Sequence, residues 1–342
     1  MERGGESMSA SMLVDNFGRQ HDYLRISVTD RCNLRCIYCM PEEGLEFEPS
    51  ANILSYEEIA EVVRVLAGMG VRKLRLTGGE PLVRKELDVL VSMLSHIPGI
   101  QDISLTTNGI FLAPKAEQLK RAGLTRVNIS LDSLKPDRFK MITRGGDVNK
   151  VLKSIAACLA AGLSPVKLNV VLMKGINEDE IADFLRLTME HPLIVRFIEY
   201  MPIGHNDSQW KNLYLPLQRV FDVCAERQWA YLPASSREGS GPADDYRLEG
   251  AAGGFGLIHP VSRHFCRSCN RLRLTADGYI KPCLAWTEDY QVRHVIGDDE
   301  AVRQLFLRAL GTKPESHEMF KQLADEQTTH TPTSRRMSQI GG

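Results

Sequence analysis

Six of the eight cysteines stand in two tight triplets, Cys32, Cys36, Cys39 and Cys266, Cys269, Cys283. Thiols clustered in this way, in a chain of 342 residues, read as metal ligands rather than disulfides. The first triplet is short enough to lie on one loop. Three thiolates on one loop can hold three corners of a [4Fe–4S] cube and leave the remaining iron open. A structural zinc site wants a fourth protein ligand, and neither His21 nor any later neighbour is well placed to supply it, so the spacing favours the cluster. The second triplet is undecided on spacing alone. Its Cys-x2-Cys half suits a zinc ribbon with His264 as fourth ligand as well as it suits a cluster. Cys158 and Cys224 stand alone and read as packing residues.

A second chemical signal is charge inside apolar runs, at Arg25, Lys73, Arg75, Lys167 and Arg196. Strands wrapped by helices are buried on both faces, so such groups must point at a partner or a cavity. Salt bridges at the closed end of a barrel, with Glu199 as one partner, are the bland reading. The cations outnumber the acids within those strands, however, and an unpaired buried cation costs several kcal/mol. A phosphate-bearing ligand is the simpler answer, because Arg and Lys clamp phosphate oxygens directly.

The elements that would position these groups alternate from Tyr23 to Tyr200. Strand signals begin near Leu24, Leu74, Ile103, Val127, Val166 and Val195. Amphipathic stripes lie between them, such as Ile59, Val62, Val63, Leu66 and Met69, opened by a Ser55/Glu58 capping box. The strand signals run into Thr29-Asp30-Arg31-Cys32, Thr77-Gly78-Gly79-Glu80-Pro81, Thr106-Thr107-Asn108-Gly109, Ser130-Leu131-Asp132-Ser133, Met173-Lys174-Gly175 and Glu199-Tyr200-Met201-Pro202. Functional groups gather at such ends in parallel α/β folds. The expected class is α/β, a partial (βα)6 TIM-type barrel with a C-terminal extension that carries the second triplet and closes the open side; a doubly wound open sheet is the second choice. The expected division is a flexible extension over 1–17, a barrel core over 18–202, a C-terminal extension over 203–326 and a tail over 327–342 ending Gly341-Gly342. By composition the tail is loose. The extension and the Gly/Ala/Ser/Pro-rich stretch 233–254 are expected to stand clear of the chemistry.

With 42 basic and 43 acidic residues the net charge is -1, which argues against a nucleic-acid surface. The hydrophobic fraction of 43% supports a large core. No run approaches the ~20 apolar residues of a membrane span. The first twenty residues are polar and Gly/Ser-rich, so a cytoplasmic chain is expected.

Cys32-Asn33-Leu34-Arg35-Cys36-Ile37-Tyr38-Cys39 with Gly78-Gly79-Glu80-Pro81 resembles the radical S-adenosylmethionine (SAM) superfamily. The stretch Phe265-Cys266-Arg267-Ser268-Cys269-Asn270-Arg271-Leu272-Arg273, then Cys283 and the Gly-Gly end, narrows the resemblance to the GTP 3′,8-cyclases of molybdenum cofactor biosynthesis. The resemblance implies two [4Fe–4S] clusters, each with three cysteines and one open iron. It implies SAM on the first, lined by Tyr38, Gly79, Asn108, Ser130 and Met201, and GTP on the second. Arg25, Arg75, Thr106, Lys167, Arg196, Arg271 and Arg273 would surround GTP, and Arg271, Arg273, Gly341 and Gly342 would act in catalysis. The implied reaction cleaves SAM to a 5′-deoxyadenosyl radical, which takes hydrogen from C3′ of GTP. C3′ then joins C8, and a reduction quenches the resulting radical, giving (8S)-3′,8-cyclo-7,8-dihydroguanosine 5′-triphosphate. The implied partners are an electron donor such as a flavodoxin system, a second copy in a homodimer, and a downstream cyclic pyranopterin monophosphate synthase. The alternatives are another radical SAM enzyme with an auxiliary cluster, which would generally carry cysteines beyond Cys283, and a zinc-stabilised scaffold, which leaves the strand-borne cations unexplained.

Overall fold

Each strand signal becomes a strand: β1 (Tyr23–Ser27), β2 (Lys73–Thr77), β3 (Asp102–Thr107), β4 (Arg126–Ser130), β5 (Val166–Leu172) and β6 (Leu193–Glu199). The structure, a computed structural model, describes residues 12–203, 210–234, 241–319, 321, 324, 326–327 and 331–341. The six strands lie parallel and in chain order. The crossovers are helical: α1 (Tyr56–Gly68), α2 (Leu87–Ser95), α3 (Ala116–Ala122), α4 (Pro136–Thr143), α5 (Val148–Ala160) and α6 (Ile181–Glu190).

Local chemistry sets these boundaries. The Ser55 hydroxyl accepts from the Glu58 N–H while the Glu58 carboxylate accepts from the Ser55 N–H, completing the capping box of α1. Ile59, Val62, Val63 and Leu66 are fully buried against the sheet. Each such side chain contributes about 1.5–3 kcal/mol of hydrophobic burial.

The C-terminal part extends the sheet at both edges. Strands β7 (Tyr231–Pro233), β8 (Asp244–Leu248) and β9 (Gly254–Ile258) continue from β6, with β9 parallel to it. Strand β10 (Arg271–Leu274) runs parallel to β1, and β11 (Tyr279–Lys281) and β12 (Tyr290–Gln291) follow it. One cavity is lined by residues of β1, β2, β4, β5, β6 and β10 together. The sheet therefore curls round a shared interior, as a partial barrel does and a flat doubly wound sheet does not. Among the described residues no helix is long and apolar enough to cross a membrane.

Three expectations are corrected. From Met12 onward the N-terminal extension is docked: the Leu13 N–H donates to the Met69 carbonyl, and Leu13 and Asp15 are buried. The tail is held as well, with the Thr333 N–H on the Ala285 carbonyl and Arg335 paired to Asp277 and Asp289. The described part of 233–254 carries strand β8 between turns, and Gly241 and Pro242 line the central cavity, so the stretch does not stand clear of it.

Candidate active site

The first triplet follows β1. Its loop is pinned by the Arg35 and Ile37 N–H groups on the carbonyls of Thr143 and Ile142 at the end of α4, at 3.1 and 2.9 Å. The Thr77-Gly78-Gly79-Glu80 strip lies against the same loop, with Gly79 N–H to Thr29 O and Glu80 N–H to Arg31 O, both 2.8 Å. The two glycines are required by this approach. A Cβ at Gly78, whose φ is +135°, would collide with Thr29 O, and one at Gly79 would sit 2.6 Å from Asp30 O.

Cys32, Cys36 and Cys39 carry free thiols. Burial pushes the Cys36 thiol well up, and Cys39, Asp132 and Cys32 add to the rise. Burial, followed by Cys32, raises Cys39 to about 12. Thiols that perturb one another share one space, and three soft donors without a fourth protein ligand fit a cube with one free corner. Among the described residues no three Cys, His, Asp or Glu side chains converge as a single-ion site. A cube binds each thiolate at a separate corner and does not need that convergence.

Tyr38, Gly79 and Asn108 are brought to this loop. The Tyr38 hydroxyl donates to Asp132 Oδ2 at 2.7 Å, and Asn108 Nδ2 donates to Asn33 Oδ1 at 2.9 Å. Glu80 anchors the strip by accepting from Leu82 N–H, Thr107 Oγ1 and Asn108 N–H. Ser130 ends β4, and Met201, just past the end of β6, lines the cavity.

The strand cations divide in two. Lys73 stays at the sheet margin, half-buried and paired with Asp22 at 3.0 Å, as the salt-bridge reading requires. Arg25, Arg75 and Arg196 line the cavity with Arg271 and Arg273, which encloses 130 Å³. Arg75 donates to the Tyr23 hydroxyl and, at 3.4 Å, to Thr106 Oγ1. Lys167 is buried beside them, and burial, then Arg196 and Arg126, push its ammonium down to about 7. Burial, then Arg75, lowers Arg196 to about 10. Glu199 takes no part in pairing them. Burial works against its ionisation, but hydrogen bonds from His259, Ser262 and Val261 prevail and hold it at about 2. Asp245 of β8 faces Lys167 and Arg196, so the 233–254 stretch does reach the site.

In the second triplet burial raises the Cys266 thiol to about 11 against a lowering hydrogen bond from His317, and Cys283 and Cys269 add to the rise. Burial raises Cys269, but Arg271 and Lys313 outweigh it and bring the thiol to about 6. His264 packs edge-on to His317 at 5.3 Å, and no mononuclear site forms with it among the described residues. Two buried cations brace the backbone here. Arg19 donates to the carbonyls of Cys266 (2.8 Å), Glu315 and Pro314 (2.7 Å each) and is held by Asp15 at 2.6 Å. Lys313 donates to the carbonyls of Arg271 (2.9 Å) and Pro282. Supports of this kind are worth about 10–100-fold in metal affinity. Lys313→Met is therefore expected to lower the iron content of the reconstituted protein to about half, the first triplet alone remaining loaded. Wild-type iron content in that variant would contradict the bracing role.

The tail lies between the two triplets. Its short helix, Met337–Ile340, ends at Gly341, where φ is +71°. Arg273 donates to the carbonyls of Ile340 (3.2 Å) and Gly341. A Cβ at Gly341 would meet Thr77 Cγ2 and, at 2.8 Å, Ser27 Oγ. The Ser338 N–H reaches the Cys39 thiol. Gly342 lies outside the described residues. Arg126, Asn128 and Asn169 also line the cavity and were not singled out from the sequence. The period-2 register of a strand, carried from Ser130 back to Asn128 and Arg126 and from Lys167 on to Asn169, points to them.

A parallel partial barrel with a cysteine triplet after its first strand defines a radical SAM protein, and the radical SAM superfamily model matches residues 26–188. The Molybdenum Cofactor Synthesis C model matches residues 193–319. The GTP 3′,8-cyclase of Listeria monocytogenes is 57% identical over 331 residues, covering 97% of this chain and 99% of that protein. The enzyme of the same name from Lactiplantibacillus plantarum is 51% identical over 330 residues, covering 96% and 99%. The chain belongs to the GTP 3′,8-cyclase family. In fold it is similar to the crystal structure of Streptococcus suis SuiB bound to S-adenosylmethionine, with a TM-score of 0.56, 16% identity, and coverage of 90% of this chain and 69% of that one.

Proposed function

We propose that this chain converts GTP to (8S)-3′,8-cyclo-7,8-dihydroguanosine 5′-triphosphate, the first step of molybdenum cofactor biosynthesis, by removing hydrogen from C3′ and joining that carbon to C8, after which one electron from the reductant and one proton quench the radical left on the base. The observation that carries it is the cavity lined by Arg25, Arg75, Arg196, Arg271 and Arg273, with Arg271 donating to the Cys269 thiol of the second triplet and the Ser338 N–H of the adjoining tail reaching Cys39 of the first. Cys32, Cys36 and Cys39 would hold a cluster able to supply the electron that cleaves SAM, and Cys266, Cys269 and Cys283 would hold one able to bind the guanine. The remaining work falls to the protein. Tyr38, Gly79, Asn108, Ser130 and Met201 hold SAM beside the first loop. Arg25, Arg75, Thr106, Lys167 and Arg196 hold the triphosphate by charge-assisted hydrogen bonds. Arg271 and Arg273 stand between the second triplet and the tail, and Arg273 carries the Gly341 carbonyl to the reacting region. Burial of the chamber excludes water and stray hydrogen donors, which radical chemistry needs. The resemblance supports a flavodoxin-type donor, a homodimer, a cytoplasmic location and the cyclic pyranopterin monophosphate synthase as consumer of the product.

Oxygen-free incubation with SAM, a strong reductant and GTP deuterated at C3′ tests this reading. Deuterium is expected in 5′-deoxyadenosine, together with a cyclised nucleotide that carries hydrogen in place of that deuterium. Deuterium-free 5′-deoxyadenosine and unchanged GTP would overturn it.

Lys167 adds a pH signature. Its ordinary value is 10.5 and its value in the empty chamber is about 7. Between these limits the unfolded chain holds a proton that the folded, empty enzyme lacks, so a rise in pH through that window favours the folded state. The triphosphate reverses the bias by restoring the ammonium. GTP binding at about pH 8 is therefore expected to take up a proton. Calorimetry in buffers of different ionisation enthalpy reads this, and buffer-independent heats would contradict it.

A further inference from the structure

We propose that Asn128 accepts a hydrogen bond from the ribose 2′-hydroxyl of the bound nucleotide and thereby sets a preference for ribo- over 2′-deoxyribonucleotide. Asn128 lies on β4, is 1% exposed and lines the chamber. Its Oδ1 atom is buried and takes no hydrogen bond within the protein. An amide oxygen left in that state costs about 1–3 kcal/mol, a cost that a ligand donor relieves.

The surroundings specify the donor. The guanidinium groups of Arg25, Arg75, Arg196 and Arg273 can only donate, and a triphosphate, which offers only acceptors, is suited to them. The nucleotide's own donors are its ribose hydroxyls and guanine N–H groups, and these need acceptors. Among the described side chains lining the chamber, the amide oxygens of Asn128 and Asn169 are both buried and unpartnered.

Register separates the two asparagines. Asn128 lies level with Thr106 on one side and Lys167 on the other, the depth assigned above to GTP. Asn169 lies level with Ser130, assigned to SAM, on one side and with Arg196, assigned to the triphosphate, on the other, whereas both neighbours of Asn128 are assigned to GTP. Guanine is also a poor match for Asn128. The second triplet adjoins β10, and β1, β2 and β3 stand between β10 and β4. The ribose, placed between base and phosphates, is the part of GTP that reaches β4. The inference rests on the proposed reading of the chamber as the GTP site.

The test compares GTP and 2′-deoxy-GTP on the reconstituted holoenzyme, wild type against Asn128→Ala and Asn128→Ser, by equilibrium binding and by kcat/KM. Wild type is expected to favour GTP by about 10- to 100-fold, since a buried acceptor penalises the analogue that lacks its donor. Asn128→Ala is expected to bring the two nucleotides within about threefold of each other, through weaker handling of GTP alone. Asn128→Ser, which keeps a smaller acceptor, should retain part of the preference. Iron content should match wild type in both variants. An equal loss for both nucleotides, or an unchanged ratio, would overturn the role of Asn128 while leaving the chamber assignment intact. Failure of the wild-type holoenzyme to bind GTP at all would overturn both.

Discussion

Cys36→Ala is expected to lower SAM cleavage by about a thousandfold or more, the scale seen when the group that carries an enzyme's chemistry is removed. Cys36 is the middle ligand of the first loop, with Cys32 and Cys39 both close enough to perturb its thiol. Two thiolates cannot hold the cube that three can, and the Thr77–Glu80 strip, pinned to Thr29 and Arg31, has no spare thiol to offer. The nucleotide product should vanish with the cleavage. Cys283→Ala should behave differently. The first loop is anchored to the end of α4 and to the strip after β2, none of which carries a thiol of the second triplet, so it should keep its iron and continue to cleave SAM without forming cyclised nucleotide. Separate assays of 5′-deoxyadenosine and of the nucleotide distinguish the two outcomes. Equal loss of cleavage in both variants would refute this division of labour.

Gly341→Val should leave both cleavage and iron content near wild type yet lower cyclisation by about a hundredfold, the cost of misplacing reacting groups by about an ångström. Position 341 lies at φ +71°, where a β-branched residue is strained, and its Cβ would enter the space of Thr77 Cγ2 and Ser27 Oγ. The tail would have to lift, and Arg273 would lose the Ile340 and Gly341 carbonyls it now holds. Turnover equal to wild type would show that the tail is only packing.

Much of this arrangement is legible from local signals. The Ser55/Glu58 box, the stripe from Ile59 to Met69 and the branched runs at Leu24, Leu74, Ile103, Val127, Val166 and Val195 each produce the element their period implies. Both cysteine triplets announce themselves by spacing. What the sequence hides is contact between distant segments. Arg19 reads as an ordinary surface residue until it is seen to hold the Cys266 carbonyl, 247 positions away. Asp245 lies in a stretch whose composition suggests loop or short hairpins clear of the chemistry, and pairing of β8 with β9 brings it near enough to act on Lys167 and Arg196. The tail from 331 to 341 is polar, and its order comes from Ala285, Asp277, Asp289 and Arg273, which composition cannot reveal. Lys73 misleads in the opposite sense. It shares the strand pattern of the chamber cations, but its position at the start of β2 leaves it within reach of Asp22.

The central claim is that two separate three-cysteine sites open onto one chamber and take different small molecules. It is tested most directly in Cys36→Ala protein reconstituted without oxygen, in which only the second triplet can hold a cluster. Electron paramagnetic resonance of that reduced cluster should change when GTP is added and stay unchanged when SAM is added. A spectrum indifferent to GTP, or the absence of any cluster signal in this variant, would contradict the account.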